Sequence, residues 1–119
     1  MDLRRVRNVF RGELRRVEQC HDGVGHVDVF RPFERGAGGL QVDFIDLAVV
    51  PPGSSIGLHR HGDDEEWYVL LEGSATMLLD GEEFPVSAGD IIINRPFGEH
   101  GLRNDSSQDV RLFVFQASS

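Results

Sequence analysis

The chain contains no lysine. That excludes Schiff-base catalysis and the phosphate-binding lysine of a P-loop, both of which need the amine. Cys20 is the one cysteine in 119 residues, so neither an intrachain disulfide nor a cysteine cluster for zinc can form. Nothing here points to an oxidising compartment. No apolar run approaches the length of a membrane span or of the hydrophobic region of a signal peptide, and the expected location is the cytoplasm. Positive charge is scarce after residue 35, where four arginines face fourteen acids and the whole chain carries a net charge of −8. An acidic body argues against sequence-independent nucleic-acid binding. The first 35 residues hold the other eight arginines against six acids. Because the acids are interleaved, a solvated arm is expected there rather than an anion-binding patch.

A chain of this length makes one domain and buries roughly two-thirds of its unfolded surface, enough for a core without staples. Fourteen glycines, eight phenylalanines, one tryptophan and one tyrosine suit short strands joined by glycine turns better than a helical bundle. In order, a short strand is expected at 6–9, one turn of helix around 13–17, and strands at 26–33, 40–50, 56–61, 66–71, 75–79, 82–86, 91–93, 100–103 and 110–116. Along 26–33, Val27, Val29 and Arg31 share a face. Asp80-Gly81 is the best hairpin signal, since both residues suit the positive φ of a type I′ turn. Pro85 implies an exposed edge. The run Ile91-Ile92-Ile93 reads as a strand covered on both faces. Nine or ten strands without a confident helix predict an all-β sandwich or barrel, closed to hide its edges.

The chemistry gathers between Gly53 and Gly73. His59 and His61 lie two apart on a strand, so both imidazoles project to one side. Glu65 and Glu66 open the next strand. Two imidazoles and a neighbouring carboxylate make three corners of a divalent-metal site, and His100 offers a fourth. Tyr68 shares the face of Glu66, where it serves either as a hydrogen-bond donor or acid in the cavity or as a core residue with its hydroxyl at the rim. Trp67 and Val69 face away. Arg95 and Arg103 flank His100; each is either a ligand for a substrate carboxylate or a surface charge. His21 and His26 have no partner at ligand spacing and read as exposed, and Cys20 reads as a structural or surface thiol.

Gly53, His59-x-His61, Glu66 and Gly73 together resemble the first motif of the cupin superfamily. Gly89, Pro96, Gly98, His100 and Asn104 resemble the second, with the proline and its following glycine one residue late. The two motifs cover residues 53–104, and the flanking strands extend the similarity over about 40–115. The resemblance implies a double-stranded β-helix, or jelly-roll barrel, over residues 36–119, preceded by an arm with short strands at 1–35. It also implies that His59, His61, Glu66 and His100 bind one divalent transition metal ion (Mn, Fe, Co, Ni or Zn). The interval to Gly73 selects Glu66 over Glu65, and Asn104 is expected to anchor a turn. The family suggests a homodimer, for which exposed Phe30, Phe33 or Trp67 would supply apolar contact. The expected function is that of a metalloenzyme acting on a small oxygen-rich organic molecule, by dioxygenase, isomerase or decarboxylase chemistry. The alternative is a non-catalytic small-ligand or metal-sensing module.

Overall fold

A computed structural model describes residues 5–119. Ten strands follow one another: β1 (Arg15–Glu18), β2 (His26–Glu34), β3 (Val42–Val50), β4 (Ser55–Arg60), β5 (Asp64–Glu72), β6 (Ser74–Leu79), β7 (Glu82–Ser87), β8 (Ile91–Asn94), β9 (Glu99–Arg103) and β10 (Val110–Ser118), with a short 3-10 turn at Cys20–Asp22. They form two antiparallel layers, a six-stranded sheet in the order β1-β2-β3-β10-β5-β8 and a four-stranded sheet in the order β4-β9-β6-β7. This is the jelly-roll barrel, the double-stranded β-helix.

Alternation decides which side chains enter the space between the layers. On β10, Val110, Leu112 and Val114 are buried; on β5, Tyr68 and Leu70 are; Ile56, Met77 and Leu102 meet them from the smaller sheet. Trp67 points outward and stacks on Phe115, with ring centroids 5.8 Å apart. The Asp80-Gly81 turn has positive φ at both residues, 48° and 84°, and sets Leu79 opposite Glu82. Pro85 lies on β7, an outer strand of the four-stranded sheet, where a missing N–H costs no ladder bond.

Several expectations are corrected. Residues 6–9 form no strand, and 13–17 form no helical turn. Left-handed backbone at Gln19, His21 and Asp22 reverses the chain, so that Arg15–Glu18 pairs with residues 26–29 of β2. The isoleucine run is not covered on both faces. Strand β8 pairs only with β5 at the sheet margin, and Ile91 is 63% exposed. Phe30, Phe33 and Trp67 are half-buried rather than exposed, and the Phe30 ring lies against the backbone of Gly12.

Two bulges re-aim side chains into the barrel. In β4 the pairing slips between Ile56, opposite Leu102, and His59, opposite His100. One extra residue thus flips the phase: Ile56 is buried, Leu58 is turned out at 52% exposure, and His59 comes back to the inside. In β2 the slip falls between Phe30, opposite Leu47, and Phe33, opposite Ile45, so Arg31 and Pro32 together face Asp46.

Candidate metal centre

Three imidazoles and one carboxylate converge inside the barrel. His59 comes from β4, His61 from the residue after its end, His100 from β9 and Glu66 from β5. One ligand atom from each lies within 4.8 Å of all the others. The Nε2 of His100 is 3.1 Å from the Nε2 of His59, 3.0 Å from that of His61 and 3.0 Å from Oε1 of Glu66. Glu66 and His100 are buried, and the side chain of His61 is only 9% exposed. Glu65, next along β5, points outward and accepts a hydrogen bond from the Trp67 indole at 3.3 Å.

The outer ring nitrogens settle what the inner ones offer. Nδ1 of His59 lies 2.7 Å from the carbonyl of Gly57, and Nδ1 of His61 lies 2.6 Å from Oδ1 of Asp64. A carbonyl and a carboxylate only accept, so both Nδ1 atoms carry the proton and donate it. In the neutral rings both Nε2 atoms then present lone pairs to the same point as His100 and the Glu66 carboxylate. Lone pairs aimed at one point, with outer hydrogen bonds fixing the rings, are the donor set of a borderline divalent ion, and the four residues fit one.

Electrostatics agree with that fit. Burial lowers the His59 pKa from 6.5 to about 4 against the opposing pull of Gly57, with His100, His21 and His61 adding repulsion. Burial raises the Glu66 carboxyl, but its hydrogen bond with His100 and the charges of the three histidines outweigh that and hold it below the ordinary range. Because folding depresses the His59 pKa, the metal-free protein binds fewer protons than the unfolded chain between about pH 4 and 6.5. Its stability is therefore full above pH 6.5 and declines as the pH falls toward 4. Calorimetric melting temperatures in chelating buffer are expected to show this decline, with a shallower slope over that window in His59→Gln. Equal slopes would contradict the assignment.

A cavity of about 230 Å³ opens beside Glu66. Val27, Val29, Ala48, Ile56 and Val114 supply its aliphatic wall. Tyr68 also lines it, with its ring centroid 4.8 Å from that of His100. Burial, then the Glu66 carboxylate, pushes the Tyr68 hydroxyl pKa well above its usual value. The same two causes, in that order, raise the Cys20 thiol.

Arg95 and Arg103 take the surface-charge alternative. Arg95 is exposed on the loop after β8, and Arg103 faces outward, paired with Glu83 and, at 3.0 Å, with Asp105. His26 is half-buried, 3.7 Å from Asp28. His21 is exposed as expected, but its ring stacks on that of His59 at 3.6 Å; a left-handed turn pressed against Gly57 puts it there.

Sequence reasoning overlooked one ion pair, between a buried aspartate and an arginine whose side chain is 43% exposed. Arg31 forms two hydrogen bonds to Asp46, Nε to Oδ1 at 2.7 Å and Nη2 to Oδ2 at 3.0 Å, and its guanidinium lies 4.1 Å over the Phe44 ring. A signal existed. Asp46 interrupts the inward phase Phe44, Ala48, Val50 on β3, and Arg31 continues the inward phase of Val27 and Val29 on β2. Opposite charges at in-phase positions of two strands suggest a partnership inside the barrel.

Comparison with known proteins agrees with this architecture. Residues 46–115 match the cupin domain family. The oxalate-binding protein of Thermotoga maritima is 27% identical over 99 residues, covering 83% of this chain and 82% of that protein. The crystal structure of a predicted oxalate decarboxylase from Thermotoga maritima superposes with a TM-score of 0.92 at 24% identity, over 96% of this chain and 99% of that one. A cupin 2 conserved barrel domain protein from Salinispora arenicola gives 0.75 at 22% identity, over 96% and 88%. Because the cupin domain family matches residues 46–115, more than half of this chain, the chain belongs to that family.

Proposed function

We propose that His59, His61, Glu66 and His100 hold one divalent transition metal ion, drawn from Mn, Fe, Co, Ni and Zn, and that the protein acts on a small oxygen-rich organic molecule in the adjoining cavity. The observation that carries this reading is the pair of proton-locked imidazoles, His59 and His61, whose Nε2 atoms meet His100 and Glu66 at one buried point. A divalent ion supplies a Lewis acid there, with positions left for oxygen donors and, if it is iron, for dioxygen. Tyr68 keeps its proton at neutral pH and is one hydrogen-bond donor of the cavity, suited to orient or protonate a ligand oxygen beside His100. Oxidative cleavage, isomerisation and decarboxylation are the reaction types this arrangement suits.

A second reading, a non-catalytic binding module, draws support from the commitment of the cavity's carboxylates and thiol, which leaves His21 as its candidate base. Glu66 is committed to the histidines, Asp46 to Arg31, and the Cys20 thiol is held protonated by burial. The name of the Thermotoga maritima relative, an oxalate-binding protein, fits it too. Metal analysis of protein purified without an affinity tag tests the shared premise. About one ion per chain is expected, with most of it lost in His61→Ala. Sub-stoichiometric metal that His61→Ala leaves unchanged sinks the proposal.

A further inference from the structure

Arginines between residues 5 and 35 line clefts that meet at Arg31. Arg31 borders the inner cavity and also three clefts on the outside, one lined by Arg5, Arg7 and Arg35, another by Arg15 and Arg16, and a third by Arg35 with Glu34 and Asp43. A chain with a net charge of −8 thus gathers six arginines at one rim. Arg35 is paired with Asp43 and Arg16 with Glu18, and the positive charge left at the rim draws anions toward the opening.

Arg31, with its side chain 43% exposed, is the one of the six that also lines the inner cavity. The bulge in β2 sets it opposite Asp46, and Pro32, which has no N–H to leave unpaired, occupies the other bulged position. Asp46 takes Nε and one hydrogen of Nη2, and Phe44 covers one face. Of the five N–H donors of a guanidinium, those along the Nη1–Nη2 edge are not used by Asp46. Fixed by two hydrogen bonds and a ring, that edge is a pre-set fork for a carboxylate. Asp46 and Glu66, both buried carboxylates, line the same cavity. Without a metal they outnumber Arg31; with a divalent ion held, the wall becomes net positive.

We propose that Arg31 is the residue that selects the ligand's charge: the cavity takes a small organic acid, an oxygen donor toward the metal centre and a carboxylate on the Nη1–Nη2 edge of Arg31. The inference rests on the metal-centre reading. It adds to it the chemical class of the ligand, the residue that reads it and an order of binding, metal before anion. The small volume, below that of typical drug-sized pockets, restricts the acid to a few carbons.

The test is titration calorimetry of the full chain with malonate and with its neutral isostere malonamide, before and after manganese loading. Manganese-loaded wild type is expected to bind malonate, and the metal-stripped protein to bind it at least about tenfold more weakly. Arg31→Ala is expected to keep its metal, to lose about tenfold to a hundredfold in malonate affinity, and to leave malonamide binding unchanged. Arg31→Ala leaves the Asp46 carboxylate buried without its partner, so Arg31→Gln combined with Asp46→Asn, a neutral hydrogen-bonding pair, carries the same test with less risk to folding. Raising ionic strength weakens malonate binding more in wild type than in either variant. Wild-type affinity for malonate in metal-replete variants overturns the inference and leaves the metal centre standing, as does a metal-loaded wild type that ignores malonate. A wild type that takes up none of manganese, iron, cobalt, nickel and zinc overturns both.

Discussion

Metal-stripped protein is expected to gain about 4 kcal/mol of unfolding free energy when manganese is restored at a thousand times its dissociation constant, and His100→Ala to gain almost none. The size of the effect follows from where the ligands lie. The four donor atoms are already within 4.8 Å of one another, while in the unfolded chain 41 residues separate His59 from His100. A cation therefore binds the folded chain far better than the unfolded one, and the difference appears as stability. His100 is the member to remove, because it touches all three others at 3.0–3.1 Å. Its replacement also opens space in a buried site, so the readout is the metal-dependent increment within each variant and not the absolute stability. Thermal or urea unfolding with and without manganese measures it. An equal increment in wild type and His100→Ala would show that the ion binds elsewhere.

Asn104→Ala is expected to cost about 3 kcal/mol, which lowers the melting temperature of a domain of this size by roughly 10 °C. Asn104 is fully buried. Its amide donates to the carbonyls of Val50 at 2.9 Å and Gln108 at 2.7 Å, and its oxygen accepts from the backbone N–H and hydroxyl of Ser106 at 2.9 and 2.7 Å. Its own backbone joins Gly53 and Ser54. One side chain thus ties the end of β3 to the loop before β10. Alanine removes all four side-chain bonds, and the Val50 carbonyl sits where water replaces the lost donor poorly. Asn104→Asp is expected to do no better, because it turns a donor into an acceptor facing two carbonyls. Urea midpoints for both variants test this, and a loss under about 0.5 kcal/mol for alanine would refute it.

How much of the molecule is legible in its sequence depends on how local the cause is. The Asp80-Gly81 hairpin and the outer position of Pro85 follow from backbone chemistry within a few residues. Strand spacing points to His59 and His61, the family resemblance adds Glu66 and His100, and the barrel brings these four side chains together. Strand 91–93 misleads because three β-branched residues in a row show no alternation, and only the pairing partner tells a margin from an interior. The Arg31–Asp46 pair and the His21–His59 stack are hidden for another reason. Each depends on a backbone irregularity, a bulge opposite Asp46 and left-handed residues around Cys20, and neither leaves a periodic trace.

The donors are divided unequally between the two layers. Glu66 stands on the six-stranded sheet, while His59 and His100 belong to the four-stranded one. A cation gripped by all four would act as a rivet through the wall of the barrel. Prising the layers apart at this end would then mean rupturing a coordinate bond, whereas at the far end, where Asn104 after β9 binds the Val50 carbonyl of β3, hydrogen bonds and packing hold them together.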